Sequence, residues 1–146
     1  MTATKLVPFT VVTLVFVCGF ALGGVFQGRA DAQSKGRVYE LRTYTTPEGK
    51  LADLHARFRN HTVKLFEKHG MTNVGYFAPQ DVPLAKNTLI YVLSHKDRET
   101  AKQSWDEFRK DPDWVKARTA SEANGGPLTT QVVSVFMDPL DFSKMK

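Results

Sequence analysis

Residues 38–45 read Val-Tyr-Glu-Leu-Arg-Thr-Tyr-Thr, and this stretch decides the fold. Its β-branched and aromatic residues and its alternation predict a β-strand. Successive side chains of a strand point to opposite faces, so the strand has two different sides. One side carries residues suited to packing, Tyr39, Leu41 and Thr43. The other carries a mostly polar row, Val38, Glu40, Arg42 and Tyr44.

The chain of 146 residues begins with a segment unlike a globular domain. Residues 6–26 contain no charged side chain and precede Ala30-Asp31-Ala32, a small-x-small pattern typical of signal peptidase sites. Residues 1–32 are therefore interpreted as an export signal, with a mature domain over residues 33–146 in the periplasm or another extracytoplasmic compartment. An uncleaved anchor is the alternative, because residues 6–26 are long enough to span a bilayer.

Charge and cysteine content exclude several classes of site. Without the first 32 residues, which hold Lys5, Arg29 and Asp31, the net charge is +4. No basic run is interleaved with aromatic residues, so we expect no nucleic-acid partner. Cys18, the only cysteine, lies in the apolar segment, so residues 33–146 have no disulfide and no thiolate site.

The remaining pattern predicts the order β-α-β-β-α-β. The expected elements are a strand over 38–45, a helix over 49–69, strands over 72–78 and 88–95, two helices capped by Asp97 and Asp111, and a strand over 131–137. This is the ferredoxin-like α+β arrangement, with helices on one face of an antiparallel sheet. Its other face would be covered by the same face of a second copy in a homodimer, with a ligand space between the two sheets.

Four histidines, at positions 55, 61, 69 and 95, lack the spacing of a metal site, and no cofactor is expected. His55 is expected to be solvated on its helix. His69 precedes Gly70 at a helix end, where it favours interaction with the helix dipole. Because histidine titrates near neutrality, His69 is also the best candidate for a general acid/base or a haem ligand.

The ordered set of short motifs resembles the NIPSNAP family over roughly residues 37–143. The resemblance rests on five stretches: Tyr39-Glu40-Leu41-Arg42-Thr43-Tyr44, Leu65-Phe66-Glu67-Lys68-His69-Gly70-Met71, Val74-Gly75-Tyr76-Phe77, Trp105-Asp106-Glu107-Phe108 and Asp111-Pro112-Asp113-Trp114. It implies a dimeric α+β barrel. That superfamily includes cofactor-free monooxygenases, lactone isomerases, haem-degrading enzymes and stress-response proteins. No catalytic residues carry over from the family.

The candidate ligand-binding residues are Glu40, Arg42, Tyr44, His69, Tyr76 and Tyr91. Glu40 and Arg42 are two residues apart on one face, so their side chains can meet either as a structural ion pair or as a site for an anionic or carbonyl oxygen. The three tyrosines are packing residues or the lining of an aromatic pocket.

Two functional hypotheses follow. The first is a binding or accessory module whose dimer encloses an apolar or aromatic molecule, or which docks on a larger assembly with residues 6–26 as a possible membrane contact. The second is a cofactor-independent monooxygenase or isomerase acting on a small aromatic or carbonyl compound, with Arg42, Glu40 and Tyr44 in the barrel interior. Both place the polar row in the space between the two sheets and Tyr39 and Leu41 under the helices.

Overall fold

The computed structural model describes residues 36–145. Its elements follow the expected order, and the α+β ferredoxin-like fold is confirmed. They are β1 Val38–Thr45, α1 Leu51–Arg57, a π-helical turn Phe58–Thr62, α2 Val63–Lys68, β2 Thr72–Phe77, a 3₁₀ turn Leu84–Lys86, β3 Thr88–His95, α3 Arg98–Lys110, α4 Pro112–Glu122 and β4 Gln131–Met137. The four strands form one antiparallel sheet in the order β2-β3-β1-β4.

Helix ends lie where their capping residues predict. Asp97 accepts a hydrogen bond from the Thr100 N–H at 2.7 Å, and Asp111 accepts one from the Asp113 N–H at 2.8 Å. Gly70 ends α2 with φ of 75°, a left-handed conformation that glycine adopts without steric cost.

A single regular helix over 49–69 was expected, but the structure contains a π-helical turn in its middle. The Val63 N–H donates to the Phe58 carbonyl, five residues back. Thr62 is buried, and its hydroxyl donates to the Arg57 carbonyl oxygen at 3.3 Å, again five residues back. The wider turn turns the hydroxyl of the buried Thr62 back toward the preceding turn, while Phe58, Thr62 and Leu65 all remain buried on the core side.

The covered face of the sheet is the opposite of the one predicted. The Trp105 indole of α3 donates to Glu40 at 2.7 Å, and the Arg42 guanidinium carbon lies 4.1 Å from the Trp105 ring centroid. Glu40, Arg42 and Tyr44 therefore face the helices, and Tyr39 and Leu41 face away. Alternation defines two faces but does not say which is covered, and the polar row lies inside because it finds hydrogen-bond partners there.

The aromatic core lies between that face and the helices. Its buried members are Leu54, Phe58, Leu65, Phe66, Met71, Leu89, Tyr91, Leu93, Trp105, Phe108 and Leu128. The opposite face, called here the outer face, carries Leu41, Ile90, Val92, Val133 and Val135 in register across β1, β3 and β4. No Lys, Arg, Asp or Glu of the four described strands points to it, and Val133 and Val135 are 43% and 49% exposed.

Within residues 36–145, no helix is long and apolar enough to cross a bilayer. The export or anchor segment, residues 1–32, lies outside the described residues.

Candidate functional site

Glu40 is the centre of a buried hydrogen-bond network, with only 1% of its surface exposed. One carboxylate oxygen, Oε1, accepts from Arg42 Nη1 and Ser134 Oγ, both at 2.6 Å. The other, Oε2, accepts from His95 Nε2 at 2.9 Å and Trp105 Nε1 at 2.7 Å. The carboxylate thus joins β1 to β3, β4 and α3.

The network keeps Glu40 ionised. Burial alone would raise the pKa of Glu40, but hydrogen bonds from His95, Ser134 and Trp105 and the charge of Arg42 outweigh it and lower the pKa to about 2. An ionised carboxylate only accepts hydrogen bonds, so His95 must carry its proton on Nε2. The other ring nitrogen of His95, Nδ1, is buried without a partner in the described part of the chain.

Arg42 is paired with Glu40 through Nη1, but its Nε is buried without a partner in the described part of the chain. Burial would lower the pKa of the Arg42 guanidinium, but the neighbouring Tyr91, Tyr44 and Glu40 more than offset this and raise it. The guanidinium also lies over the Trp105 ring, a favourable cation–π position. The predicted contact between Glu40 and Arg42 is therefore present, but as an ion pair that lies between the sheet and α3 of one subunit.

This position excludes two expectations. A pair that faces α3 cannot join two subunits across the outer face. Nor can it polarise a substrate in a space between two sheets, as the monooxygenase or isomerase mechanism required. With four donors already on the Glu40 carboxylate, the pair has the arrangement of a structural element.

The three candidate tyrosines form one aromatic cluster with Phe58. Tyr44 meets Tyr91 edge-on with ring centroids 5.2 Å apart, and Tyr76 stacks on Tyr91 at 5.5 Å. Phe58 contacts all three rings. Tyr91 is fully buried, and burial raises the pKa of its hydroxyl well above the usual value. Tyr91 is therefore a core residue, whereas Tyr76 is only half-buried and remains accessible.

His69 lies apart from this network and makes none of its hydrogen bonds. Its Nε2 pairs with Asp111 at 2.7 Å, and Nδ1 lies 3.8 Å from Glu107. Hydrogen bonds from Lys68 and His69 hold the pKa of Asp111 well below its usual range. His69 thus ties the end of α2 to the start of α4, which leaves its Nε2 engaged. The described residues hold no group of three His, Cys, Asp or Glu side chains placed to bind a metal ion.

A cavity of about 260 Å³ lies beside the π-helical turn, at the end of β2, and is called here the β2 cavity. Its helical side is formed by His55, Phe58, Arg59 and Val63. Its strand side is formed by Tyr76, Phe77, Ala78 and Leu89. Of the six candidate residues, it contains only Tyr76.

The other lining residues are not among those predicted from the sequence, and the expectation that His55 is solvated is wrong. His55 is half-buried, and its Nε2 is buried with no hydrogen-bond partner in the described part of the chain. No sequence signal marks the cavity, because the buried Phe58, Thr62 and Leu65 keep the four- and three-residue spacing of a regular helix. The π-helical turn beside it is visible only in the structure, and such turns often occur at functional sites.

Comparisons with known proteins give one family. A family model described as NIPSNAP matches residues 39–144. No curated protein matches the chain.

Solved structures give the same family and the same fold. A NIPSNAP family protein of unknown function from Agrobacterium tumefaciens is 18% identical, with 77% of this chain and 96% of that chain covered and a TM-score of 0.65. A NIPSNAP-like domain protein from Burkholderia xenovorans is 17% identical, with 75% and 90% covered and a TM-score of 0.64.

Proposed function

The chain belongs to the NIPSNAP family, and we propose that it is a small-molecule-binding protein that holds an apolar or aromatic compound in the β2 cavity. It does so as an exported homodimer. The observation that carries this proposal is the cavity itself, because the Glu40 carboxylate of the polar row already accepts four hydrogen bonds.

The β2 cavity has the composition of a ligand site. Phe58, Val63, Tyr76 and Leu89 supply apolar and aromatic walls, and few polar groups stand among them. An apolar cavity of about 150 Å³ in another protein binds benzene. A volume of about 260 Å³ therefore suits a compound of one or two aromatic rings.

The π-helical turn shapes this cavity. Phe58 begins the turn and Val63 follows it, so the turn separates the two helical walls. A π turn costs stability relative to a regular helix, and it is retained where local geometry has a use. Here the turn contains one more residue than an α-helical turn. The side chain of Thr62 points into the core, and its hydroxyl donates to the Arg57 carbonyl.

The outer face supports the homodimer. It is apolar along β1, β3 and β4, and the charged side chains of the described strands lie on the helix side. Arg37, which precedes β1, donates to Ser94 and Thr72 at one end of this face, and the part along Leu41, Val92 and Val135 can meet its own copy without like-charge repulsion. A second copy that covers Leu41, Val92 and Val135 would remove this exposed apolar patch from water.

Export is supported by the amino-terminal sequence, and a mature chain that starts near Gln33 is its expected product. Mass spectrometry of the protein recovered from its native compartment measures this directly. A chain that retains residues 1–32 in the membrane fraction would favour the anchor.

A cavity-filling variant tests the binding function. Calorimetric titration with 2-naphthamide, an uncharged two-ring probe, should give saturable binding of one molecule per chain. Ala78→Phe places a ring at the cavity and should weaken binding at least about tenfold. Ala52→Phe, at an exposed α1 position outside the cavity, is the matched control and should bind normally. Failure of both 2-naphthamide and its carboxylate analogue 2-naphthoate to bind, or equal weakening by both variants, would overturn the proposal.

A further inference from the structure

The β2 cavity has an uneven charge. Arg59 is the only Lys, Arg, Asp or Glu among its lining residues. The side chain is exposed, and within residues 36–145 it makes no hydrogen bond and no ion pair. Other arginines of the described chain, such as Arg42, Arg57, Arg109 and Arg118, are paired with carboxylates.

His55 adds a second polar group on the same wall. Its Nε2 has no hydrogen-bond partner within the described residues. Because no hydrogen bond of these residues holds that nitrogen, the ring can turn toward a bound molecule without breaking one. A ring nitrogen that carries a proton can then donate to an oxygen of that molecule.

We propose that the β2 cavity selects apolar molecules that carry one anionic oxygen group, a carboxylate or a phenolate. This rests on the binding function proposed above and names its ligand class. The apolar body lies against Phe58, Tyr76 and Leu89, and the anionic group binds the Arg59 guanidinium and the His55 ring. A guanidinium presents two parallel N–H groups to a carboxylate, which gives geometric selectivity as well as attraction.

The alternative ligand classes fit less well. A cationic ligand would meet Arg59 with like charge and would find no carboxylate among the lining residues. A neutral apolar ligand would fill the walls but leave Arg59 and His55 without partners. We therefore expect the cavity to distinguish ligands by their charge more than by their shape.

Matched ligands and matched variants test this inference. The probes are 2-naphthoate and 2-naphthamide, which share a ring system and differ in charge. We expect the wild-type protein to bind 2-naphthoate about tenfold more tightly than 2-naphthamide at low salt, and less so at high salt. Arg59→Gln should abolish this preference by weakening naphthoate binding about tenfold while naphthamide binding stays the same.

Lys64→Gln is the control for net charge. Lys64 is exposed, lies on the neighbouring helix α2, and does not line the β2 cavity. It should leave both affinities within about twofold of wild type. His55→Phe keeps the ring volume and removes both nitrogens, so it should weaken naphthoate binding more than naphthamide binding.

The outcomes separate this inference from the binding function. If neither probe binds, the binding function fails. If both probes bind equally in wild type and Arg59→Gln, the cavity binds ligands but the anionic class is wrong. Equal loss of naphthoate binding in Arg59→Gln and Lys64→Gln would mean long-range charge attraction, and would also overturn the inference.

Discussion

Replacing Glu40 by glutamine keeps the shape of the side chain and removes the charge on which four donors converge. The amide oxygen can still accept hydrogen bonds, but the amide nitrogen is itself a donor and would face two of the four donors across about 3 Å. Arg42 would also lose its only carboxylate partner among the described residues. We expect the variant to fold with a clearly lower free energy of unfolding.

The magnitude follows from the pKa of Glu40. The folded-state value of about 2 lies below the ordinary value of 4.5, and each unit corresponds to about 1.4 kcal/mol. The ionised Glu40 therefore contributes about 3 kcal/mol, an upper value that solvent screening reduces. Loss of one partner of a buried ion pair in other proteins costs about 3–5 kcal/mol, which is consistent.

The pH dependence gives the test its direction. A carboxylate whose pKa is depressed by folding stabilises the protein fully above its unfolded pKa, and this contribution is lost as the pH falls through the folded pKa. The difference in unfolding free energy between wild type and Glu40→Gln should thus be constant from pH 7 to about 5. It should then shrink as the pH falls from 4.5 toward 2.

Urea unfolding of both proteins, followed by tryptophan fluorescence at several pH values, measures this difference. Glu48→Gln is the control, because Glu48 is exposed and makes no hydrogen bond or ion pair within the described residues. It should match wild type at every pH. A Glu40→Gln difference below about 1 kcal/mol at pH 7, or one that does not change on acidification, would refute the assignment of Glu40 as a paired, ionised core residue.

Three further predictions concern other parts of the fold. Trp105→Phe removes one donor to the buried carboxylate and should lower the unfolding free energy by about 1–3 kcal/mol in urea titrations; an unchanged midpoint would show that this bond contributes nothing. Gly70→Ala should cost about 1 kcal/mol because its φ of 75° strains an L side chain, whereas Gly36→Ala, with open space around it, should be neutral in the same thermal unfolding assay. Val135→Lys places a charge on the outer face and should convert the proposed homodimer to a monomer in sedimentation velocity, and a dimer of undiminished stability would place the interface elsewhere.

The elements of the fold follow from local sequence signals. Asp97 and Asp111 cap helices, Gly70 ends one, and β-branched runs form strands, because each effect acts within a few residues. These local rules place every strand within a residue or two of its observed bounds. The π-helical turn is the exception, since its stabilising contacts come from the packing of Thr62 and Phe58 in the core.

The site depends on contacts that sequence patterns do not record. Alternation identified the polar row of β1, but the partners that bury it, His95, Trp105 and Ser134, lie on other elements. Without them a buried carboxylate is unfavourable, so the row was expected to face a more polar space. The β2 cavity was missed for the same reason, because its walls join a helix to the ends of two strands.

The spacing of the Glu40 network along the chain has a consequence for synthesis. Its donors on β3, α3 and β4 lie 55, 65 and 94 residues after Glu40. A nascent chain grows from its amino terminus, so this carboxylate emerges from the ribosome long before its last donor, Ser134, has been made. Until β4 pairs with β1, the only donor to Glu40 Oε1 among the described residues is Arg42. The buried carboxylate then lacks one of its four hydrogen bonds. A chain shortened before residue 131 therefore lacks Ser134 and one edge strand of the sheet, and it exposes this defect to the quality-control proteases of the cell.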